Sequence, residues 1–147
     1  MNDFNDDVFE IRMKSHPIED RKPGERQLAV RVLAMPADTN PAGDIFGGWL
    51  MSQVDIAGSI LAVQATQGRV VTVAVHNLQF LKPVLVGDLV SCYAEVEHRG
   101  NTSVRIKVEV FAERERDPRS VHRVAEAAIT YVRVDENSRP VPLPPVV

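Results

Sequence analysis

Hydrophobic and polar residues alternate along the second half of the chain with the period of two that is typical of half-buried β-strands. The alternation is clearest in residues 89–99 and 102–111, and Gly100 and Asn101 between them predict a β-hairpin. In residues 89–99 one face holds Val90, Cys92, Ala94 and Val96, and the other holds Ser91, Tyr93, Glu95 and Glu97. In residues 102–111 the apolar set is Val104, Ile106, Val108 and Val110, and the polar set is Arg105, Lys107 and Glu109.

Three further segments are predicted to be strands. Residues 27–35 are partly β-branched and are stopped by Pro36. Residues 121–134 follow a polar linker and form the last strand. In residues 70–80 the alternation places Val71, Val73 and Val75 on one face and Thr72, Ala74 and His76 on the other.

A single long helix is predicted over residues 47–68, with Gly68 as its C-terminal cap. It follows residues 36–46, whose prolines, glycine, aspartates and asparagine are typical of a loop with defined turns. A strand, one long helix and then an antiparallel run predict an α+β fold in which an antiparallel sheet wraps the helix.

The chain has 147 residues, 44% of them hydrophobic and 25% charged, which is typical of a single globular domain. We expect residues 1–26 to form an N-terminal arm and residues 27–134 to form the domain. Residues 135–147 form a tail whose density of prolines is incompatible with a central strand.

Net charge is −3 and the basic residues are scattered, so we expect no nucleic-acid partner. Cys92 is the single cysteine, which excludes an intrachain disulfide and a cysteine-based metal site. The first ten residues are acidic, unlike a secretory or transit peptide, and we therefore expect a cytoplasmic protein. Asp55, two serines, Gln53, Gln64 and Gly58 within the predicted helix make a membrane span a poor interpretation.

Asp55 is the one charged residue of the predicted helix. At 100° per residue it shares a stripe with mostly small residues, and no Lys or Arg within a helical turn would pair with it. Two interpretations stay open: a solvated aspartate on an outer face, or a general base beside a cleft. Its own stripe comprises Gly48, Met51, Ser52, Gly58, Ser59 and Ala62.

Gly47 and Gly48 open the predicted helix, where free backbone amides and the positive end of the helix dipole form an anion or oxyanion site. Gly48 lies within about 20° of Asp55 around the helix axis and about 10 Å from it along the axis. A carbonyl held at Gly48 would thus lie within reach of a water molecule activated by Asp55. The alternative is that the glycine pair only permits close packing.

The run D-x-N-x-x-G-D-x-F-G-G-W-x-M-S-Q-x-D, from Asp38 to Asp55, resembles the YciA-type acyl-CoA thioesterases of the hotdog fold. Two later segments, GRVVTVAV and FLKPVLVGDLVSCYAEV, extend the resemblance over about residues 28–134. It implies a hotdog domain, a homodimer with active sites shared between subunits, and a hexamer built as a trimer of dimers.

The resemblance also implies roles for individual residues. Asp55 would be the base or nucleophile, Asn40 would approach the thioester from the partner subunit, and Gly48, with Gly47 as its neighbour, would supply the oxyanion amide. Many relatives carry a histidine where this chain has Phe46, so a histidine cannot position the substrate from this place in this chain.

Other residues are weaker candidates. Asp44 is the second candidate carboxylate. The spacing of Asp38, Asn40 and Asp44 resembles the start of a calcium-binding loop, but such a loop is excluded because its twelfth position is Trp49 instead of glutamate. The four histidines lack metal-ligand spacing, and we expect no metal site. We expect the phosphates of coenzyme A to contact basic and polar residues, and the alternative is that these residues form a solvated hairpin end. The candidates are Lys82, Arg99, Gly100, Asn101, Thr102 and Ser103.

The sequence therefore predicts a thioester hydrolase that converts acyl-CoA to free coenzyme A and a carboxylic acid without a separate cofactor. A hotdog module that binds acyl-CoA without hydrolysing it is the alternative. A hydratase or dehydratase is disfavoured because the helix and the loop before it contain no histidine.

Overall fold

The computed structural model describes residues 26–146. The predicted N-terminal arm, residues 1–26, therefore lies outside the described residues except for Arg26. A short 3₁₀ helix, Pro36–Asp38, interrupts the predicted loop. The main elements are β1 (Gln27–Leu33), α1 (Gly47–Thr66), β2 (Val70–Phe80), β3 (Leu89–Arg99), β4 (Ser103–Glu113) and β5 (Val121–Arg133).

The five strands form one antiparallel sheet in the order β1-β3-β4-β5-β2, and α1 contacts every strand. The predicted hairpin is β3 and β4. The regular alternation in β4 is confirmed, because its four apolar residues are fully buried against the helix side chains. The core between helix and sheet includes Leu50, Val54, Ala57, Leu61, Val104, Ile106, Val108 and Val110.

The outer face of the sheet is also partly covered. Tyr93 is buried because the guanidinium of Arg26 lies 4.6 Å from its ring centre and Phe111 packs edge-on at 5.7 Å. Arg26 also forms an ion pair of 3.2 Å with Glu109. The predicted polar face of β3 is thus buried at Ser91 and Tyr93.

The predicted cap of the helix is wrong by one residue. Gln67, with φ of 54°, adopts the left-handed conformation, and its amide donates to the carbonyl of Val63 over 2.8 Å. Gly68 instead lies beneath the side chain of Arg133, which a Cβ atom would displace, because that atom would lie 2.6 Å from Nε of Arg133.

The predicted faces of β2 are also wrong, because the strand contains two β-bulges, between Thr72 and Ala74 and between His76 and Gln79. Val71 pairs with Val132 and Val75 pairs with Ile129, so these two valines lie on opposite faces of the sheet. Thr72, opposite Tyr131, faces the helix.

The proline-rich tail runs back over the hairpin turn. The amide of Val141 donates to the carbonyl of Arg133 over 3.0 Å, and that of Leu143 donates to the carbonyl of Asn101 over 2.8 Å. Between residues 26 and 146 no helix is long and apolar enough to cross a membrane.

Candidate active site

Asp55 lies in the middle of α1, half-buried, with its side chain turned toward β2 and β5. Its Oδ1 atom accepts two hydrogen bonds, from Oγ1 of Thr72 over 2.9 Å and from Oη of Tyr131 over 3.0 Å. In the described part of the chain, Oδ2 has no hydrogen-bond partner. One carboxylate oxygen is therefore held by the fold and the other is free to react.

Tyr131 is fully buried and reaches Asp55 across the helix surface at Gly58. Its hydroxyl also lies 2.9 Å from the backbone carbonyl oxygen of Asp55. Burial, reinforced by the negative charge of Asp55, raises the pKa of Tyr131 well above its usual value. The hydroxyl therefore stays protonated and remains a donor.

A cavity of about 240 Å³ opens beside Asp55. Its polar atoms come from Asp55, Thr72 and Ser52, and the rest of its wall is apolar. The apolar lining residues are Met51, Val54, Val75, Leu78 and Ile129. An apolar group that carries one polar reacting centre would fit this lining.

The first turn of α1 presents free backbone donors. The first helical hydrogen bond runs from the amide of Leu50 to the carbonyl of Phe46 over 3.2 Å, and no side chain caps the helix. Among residues 26–146, the amides of Gly47, Gly48 and Trp49 have no acceptor. A Cβ atom on Gly48 would meet nothing within 4 Å, so a ligand has open access to its backbone.

Asn40 forms a tight turn in front of the helix. Its Oδ1 accepts hydrogen bonds from the amides of Ala42, over 2.9 Å, and Asp44, over 3.2 Å. The oxygen is thereby occupied, and the Nδ2 amide group is left as a donor without an acceptor in the described residues. This arrangement prepares Asn40 to donate to a carbonyl oxygen.

Asn40 and Asp55 line different cavities of the chain. The second cavity, of about 340 Å³, lies at the start of α1 and also includes Asp44, Gly47 and Lys82. The side chain of Asp44 is exposed. Asp38 has a local role, because its Oδ2 accepts from the amide of Met35 over 3.0 Å.

The remaining candidates for coenzyme A binding lie at the opposite end of the helix from Gly48. Arg99 donates to the carbonyl of Ala65, near the end of α1, over 3.0 Å, and to the carbonyl of Pro144 in the tail. Gly100 and Ser103 close the turn through a 2.8 Å backbone bond. The carbonyls of Asn101 and Thr102 accept from the amides of Leu143 and Arg133. Within one chain the structure therefore separates this group from Lys82.

Thr72 and Tyr131 were missed by the sequence reasoning, because both sit in strands whose pattern carries no catalytic signal. His76 lies on the other face of β2, where its Nε2 is 3.0 Å from Oγ1 of Thr130. No cluster of three or more His, Cys, Asp or Glu residues that would hold a metal ion occurs within residues 26–146.

Comparisons with known proteins agree with this architecture. A profile of the thioesterase superfamily matches residues 42–118. The acyl-CoA thioester hydrolase YciA of Salmonella typhimurium is 52% identical over 120 residues, which cover 80% of this chain and 90% of that protein.

Two solved structures are similar over most of their length. The hexameric thioesterase y2039 from Yersinia pestis is 50% identical, with a TM-score of 0.77 over 84% of this chain and 100% of that one. Cj0915, a hexameric hotdog fold thioesterase of Campylobacter jejuni, is 42% identical, with a TM-score of 0.75 over 80% of this chain and 90% of that one. The predicted hotdog fold is thereby confirmed. Because the chain is 52% identical to YciA over 80% of its own length, it belongs to the thioesterase superfamily, as a member of the YciA family of acyl-CoA thioester hydrolases.

Proposed function

We propose that the protein hydrolyses acyl-CoA thioesters to coenzyme A and a carboxylic acid, with Asp55 as the reacting carboxylate. The single observation that carries this proposal is Asp55 at the wall of a largely apolar cavity, with an Oδ2 atom that accepts no hydrogen bond from the described residues. The YciA relatives, which are acyl-CoA thioester hydrolases, support the same substrate class.

Thioester hydrolysis needs a nucleophile, stabilisation of the carbonyl oxygen as it becomes negative, and departure of a thiolate. Asp55 either removes a proton from the attacking water or attacks the carbonyl carbon itself and forms an anhydride that water then opens. The free amide of Gly48, at the positive end of the helix dipole, binds the oxyanion, with the amide of Gly47 beside it. The thiolate leaves without help from an acid and takes up a proton from water.

We propose that a second copy of the chain completes the site, since within one chain Asn40 and Asp55 line different cavities. We propose that Asn40 of one subunit donates its Nδ2 amide to the thioester carbonyl held at Asp55 of the other. Strand β2 is the edge that supports such pairing, since Val73 and Val75 are 53% and 42% exposed on it. The hexameric relatives support assembly of three such dimers.

The proposed substrate part of the site divides into two regions. The apolar cavity beside Asp55 takes the acyl group, and the coenzyme A phosphates meet basic groups, for which Lys82 at the helix N-terminus is the first candidate. Arg99 and the turn residues 100–103 would contact the coenzyme A phosphates only if they came from another subunit. Neither the Asp55 carboxylate nor the helix amides require a further cofactor for this chemistry. A reducing compartment such as the cytoplasm suits a chain whose one cysteine is buried and free.

The decisive test measures thiol release from short, medium and aromatic acyl-CoAs by the wild type and Asp55→Asn. We expect hydrolysis by the wild type and a loss of at least about 10²-fold in kcat for the variant. Asp117→Asn is the matched control, because Asp117 lies in the exposed linker after β4, and it should retain full activity.

Other outcomes separate the alternatives. Loss of activity in Asp44→Asn but not in Asp55→Asn would transfer the catalytic role to Asp44. Tight acyl-CoA binding by calorimetry without thiol release by the wild type would identify a binding module. Activity on enoyl or 3-hydroxyacyl thioesters alone would identify a hydratase.

The assembly is tested by light scattering after size exclusion. We expect a hexamer for the wild type and smaller, inactive species for Val73→Lys. Val86→Lys places the same charge on a valine outside β2 that is 45% exposed, and it should leave the hexamer intact. A wild-type monomer with full activity would exclude the shared site.

A further inference from the structure

We propose that Tyr131 is a positioning residue for the reaction: its hydroxyl, admitted by Gly58, holds Oδ1 of Asp55 so that Oδ2 faces the substrate. This inference rests on the proposed hydrolysis at Asp55 and assigns a further residue to it. Tyr131 does not line the cavity beside Asp55, so it acts through the carboxylate and not on the substrate.

The first observation is that the two carboxylate oxygens of Asp55 differ in their hydrogen bonds, because Oδ1 accepts both of them. An aspartate on a helix turns about two side-chain torsions, and an unrestrained carboxylate would present either oxygen in many directions. Here Oδ1 accepts from Tyr131, at 3.0 Å, and from Thr72, at 2.9 Å. The two donors are paired residues on the neighbouring strands β2 and β5, so both hold the same carboxylate oxygen from the sheet side of the helix.

The second observation is the contact between Tyr131 and the backbone of α1. Oη of Tyr131 lies 2.9 Å from the carbonyl oxygen of Asp55 as well as 3.0 Å from Oδ1. One hydroxyl thus contacts the backbone and the side chain of the same residue. This contact fixes the position of the carboxylate relative to the axis of the helix.

The third observation is Gly58, one turn after Asp55. A Cβ atom there would lie 2.4 Å from Oη of Tyr131 and 3.1 Å from its Cζ, so any larger residue displaces the hydroxyl. Glycine in the middle of a helix is less favourable than alanine. Its presence here follows from the room that the hydroxyl requires.

The experiment compares kcat and KM of Tyr131→Phe with those of the wild type on one acyl-CoA. The phenylalanine ring keeps the packing and removes only the hydroxyl. Because a loosely held catalytic group loses rate while substrate contacts remain, we expect kcat to fall about 10- to 100-fold with KM within about twofold of the wild type. An unchanged kcat in a folded Tyr131→Phe enzyme overturns the proposal.

A double-mutant cycle separates positioning from a general structural effect. If Tyr131 acts through Asp55, Tyr131→Phe should change the residual rate of Asp55→Asn by less than about twofold. An equal loss in both backgrounds overturns the proposal. If the wild type itself releases no thiol from any acyl-CoA, the proposed function fails together with this inference.

Gly58→Ala supplies an independent variant for the same hydroxyl. We expect it to lower kcat as Tyr131→Phe does, and the double variant to lose no more than either single variant, because each removes the same hydrogen bond. Circular dichroism and the melting temperature check that each variant is folded. Additive losses in kcat would overturn the proposal, since they would mean that Gly58 and Tyr131 act separately.

Discussion

Oγ1 of Thr72 donates to Oδ1 of Asp55 over 2.9 Å and joins the edge strand β2 to the middle of the helix. The two residues are seventeen positions apart, and a β-bulge after Thr72 alters the alternation along β2. The carboxylate is therefore held by an edge strand whose outer side is exposed, which couples the geometry of the site to whatever pairs with that edge.

Thr72→Val should lower kcat about tenfold, because the nearly isosteric side chain packs as threonine does but cannot donate to Asp55. Thr72→Ser keeps the hydroxyl and should retain at least half of the wild-type kcat. Steady-state kinetics on one acyl-CoA checks both variants. Equal losses in the two would point to packing of the methyl group instead of the hydrogen bond.

Substitution of Asn40 can separate the role of its Oδ1 atom in forming the turn from the role of its Nδ2 group as a donor to the substrate. Asn40→Asp keeps an oxygen that accepts from the amides of Ala42 and Asp44, but it removes the Nδ2 donor. We expect wild-type thermal stability and a loss of about 10²- to 10³-fold in kcat, the range for loss of one oxyanion donor. Asn40→Ala loses both functions and should fall in melting temperature as well. Full activity in Asn40→Asp would exclude a donor role.

Gly48→Ala should make the protein slightly more stable and less active. The added methyl group meets nothing within 4 Å, and alanine is favoured over glycine in a helix by up to about 1 kcal/mol. The same methyl group lies beside the free amide and blocks the close approach of a thioester. Chemical denaturation and kcat/KM measure the two effects, and an unchanged kcat/KM would remove Gly48 from the oxyanion site.

Cys92 predicts a pH dependence of stability. Burial raises the pKa of the Cys92 thiol from its usual 9.0 to about 12, so the folded chain keeps the proton that the unfolded chain loses. The contribution is fully present below pH 9 and is lost between pH 9 and 12, at about 1.4 kcal/mol per pH unit. Urea denaturation at pH 8 and pH 10 should therefore show a steeper decline for the wild type than for Cys92→Ala.

The same burial predicts that a chromogenic disulfide reagent reacts with no thiol in the native protein and with one per chain after unfolding. Coenzyme A released by hydrolysis is then the only thiol that the assay detects. Rapid reaction of the native protein would show that β3 opens in solution.

Local sequence patterns predicted the faces of a strand correctly where only one face of that strand is buried against the helix. In β4 the helix covers every second residue, so Val104, Ile106, Val108 and Val110 are buried as their alternation predicts. In β2 the same pattern was misleading, because the bulge between Thr72 and Ala74 shifts the register and places Val71 and Val75 on opposite faces. A bulge depends on pairing with β5, which lies about fifty residues away in the chain, and no local period records it.

The candidate site divides in the same way. The helix with its single charge at Asp55 and the glycine pair at its start follow from the order of residues alone, because helical geometry fixes their spacing. The end of the helix, by contrast, is set by the left-handed conformation of Gln67, and Gly68 lies beneath the side chain of Arg133. The turn that leaves Nδ2 of Asn40 free depends on side-chain hydrogen bonds that composition only suggests.

What the sequence by itself determined is the set of elements, the family and the candidate carboxylate, because each of these is recorded in residues close together along the chain. Only the tertiary structure decided how that carboxylate is held. Thr72 and Tyr131 meet Asp55 because β2 and β5 are neighbours in the sheet and Gly58 lets the tyrosine reach the helix. Hydrogen bonds between distant segments form only after the sheet has been assembled around the helix, and so they leave no periodic trace in the sequence.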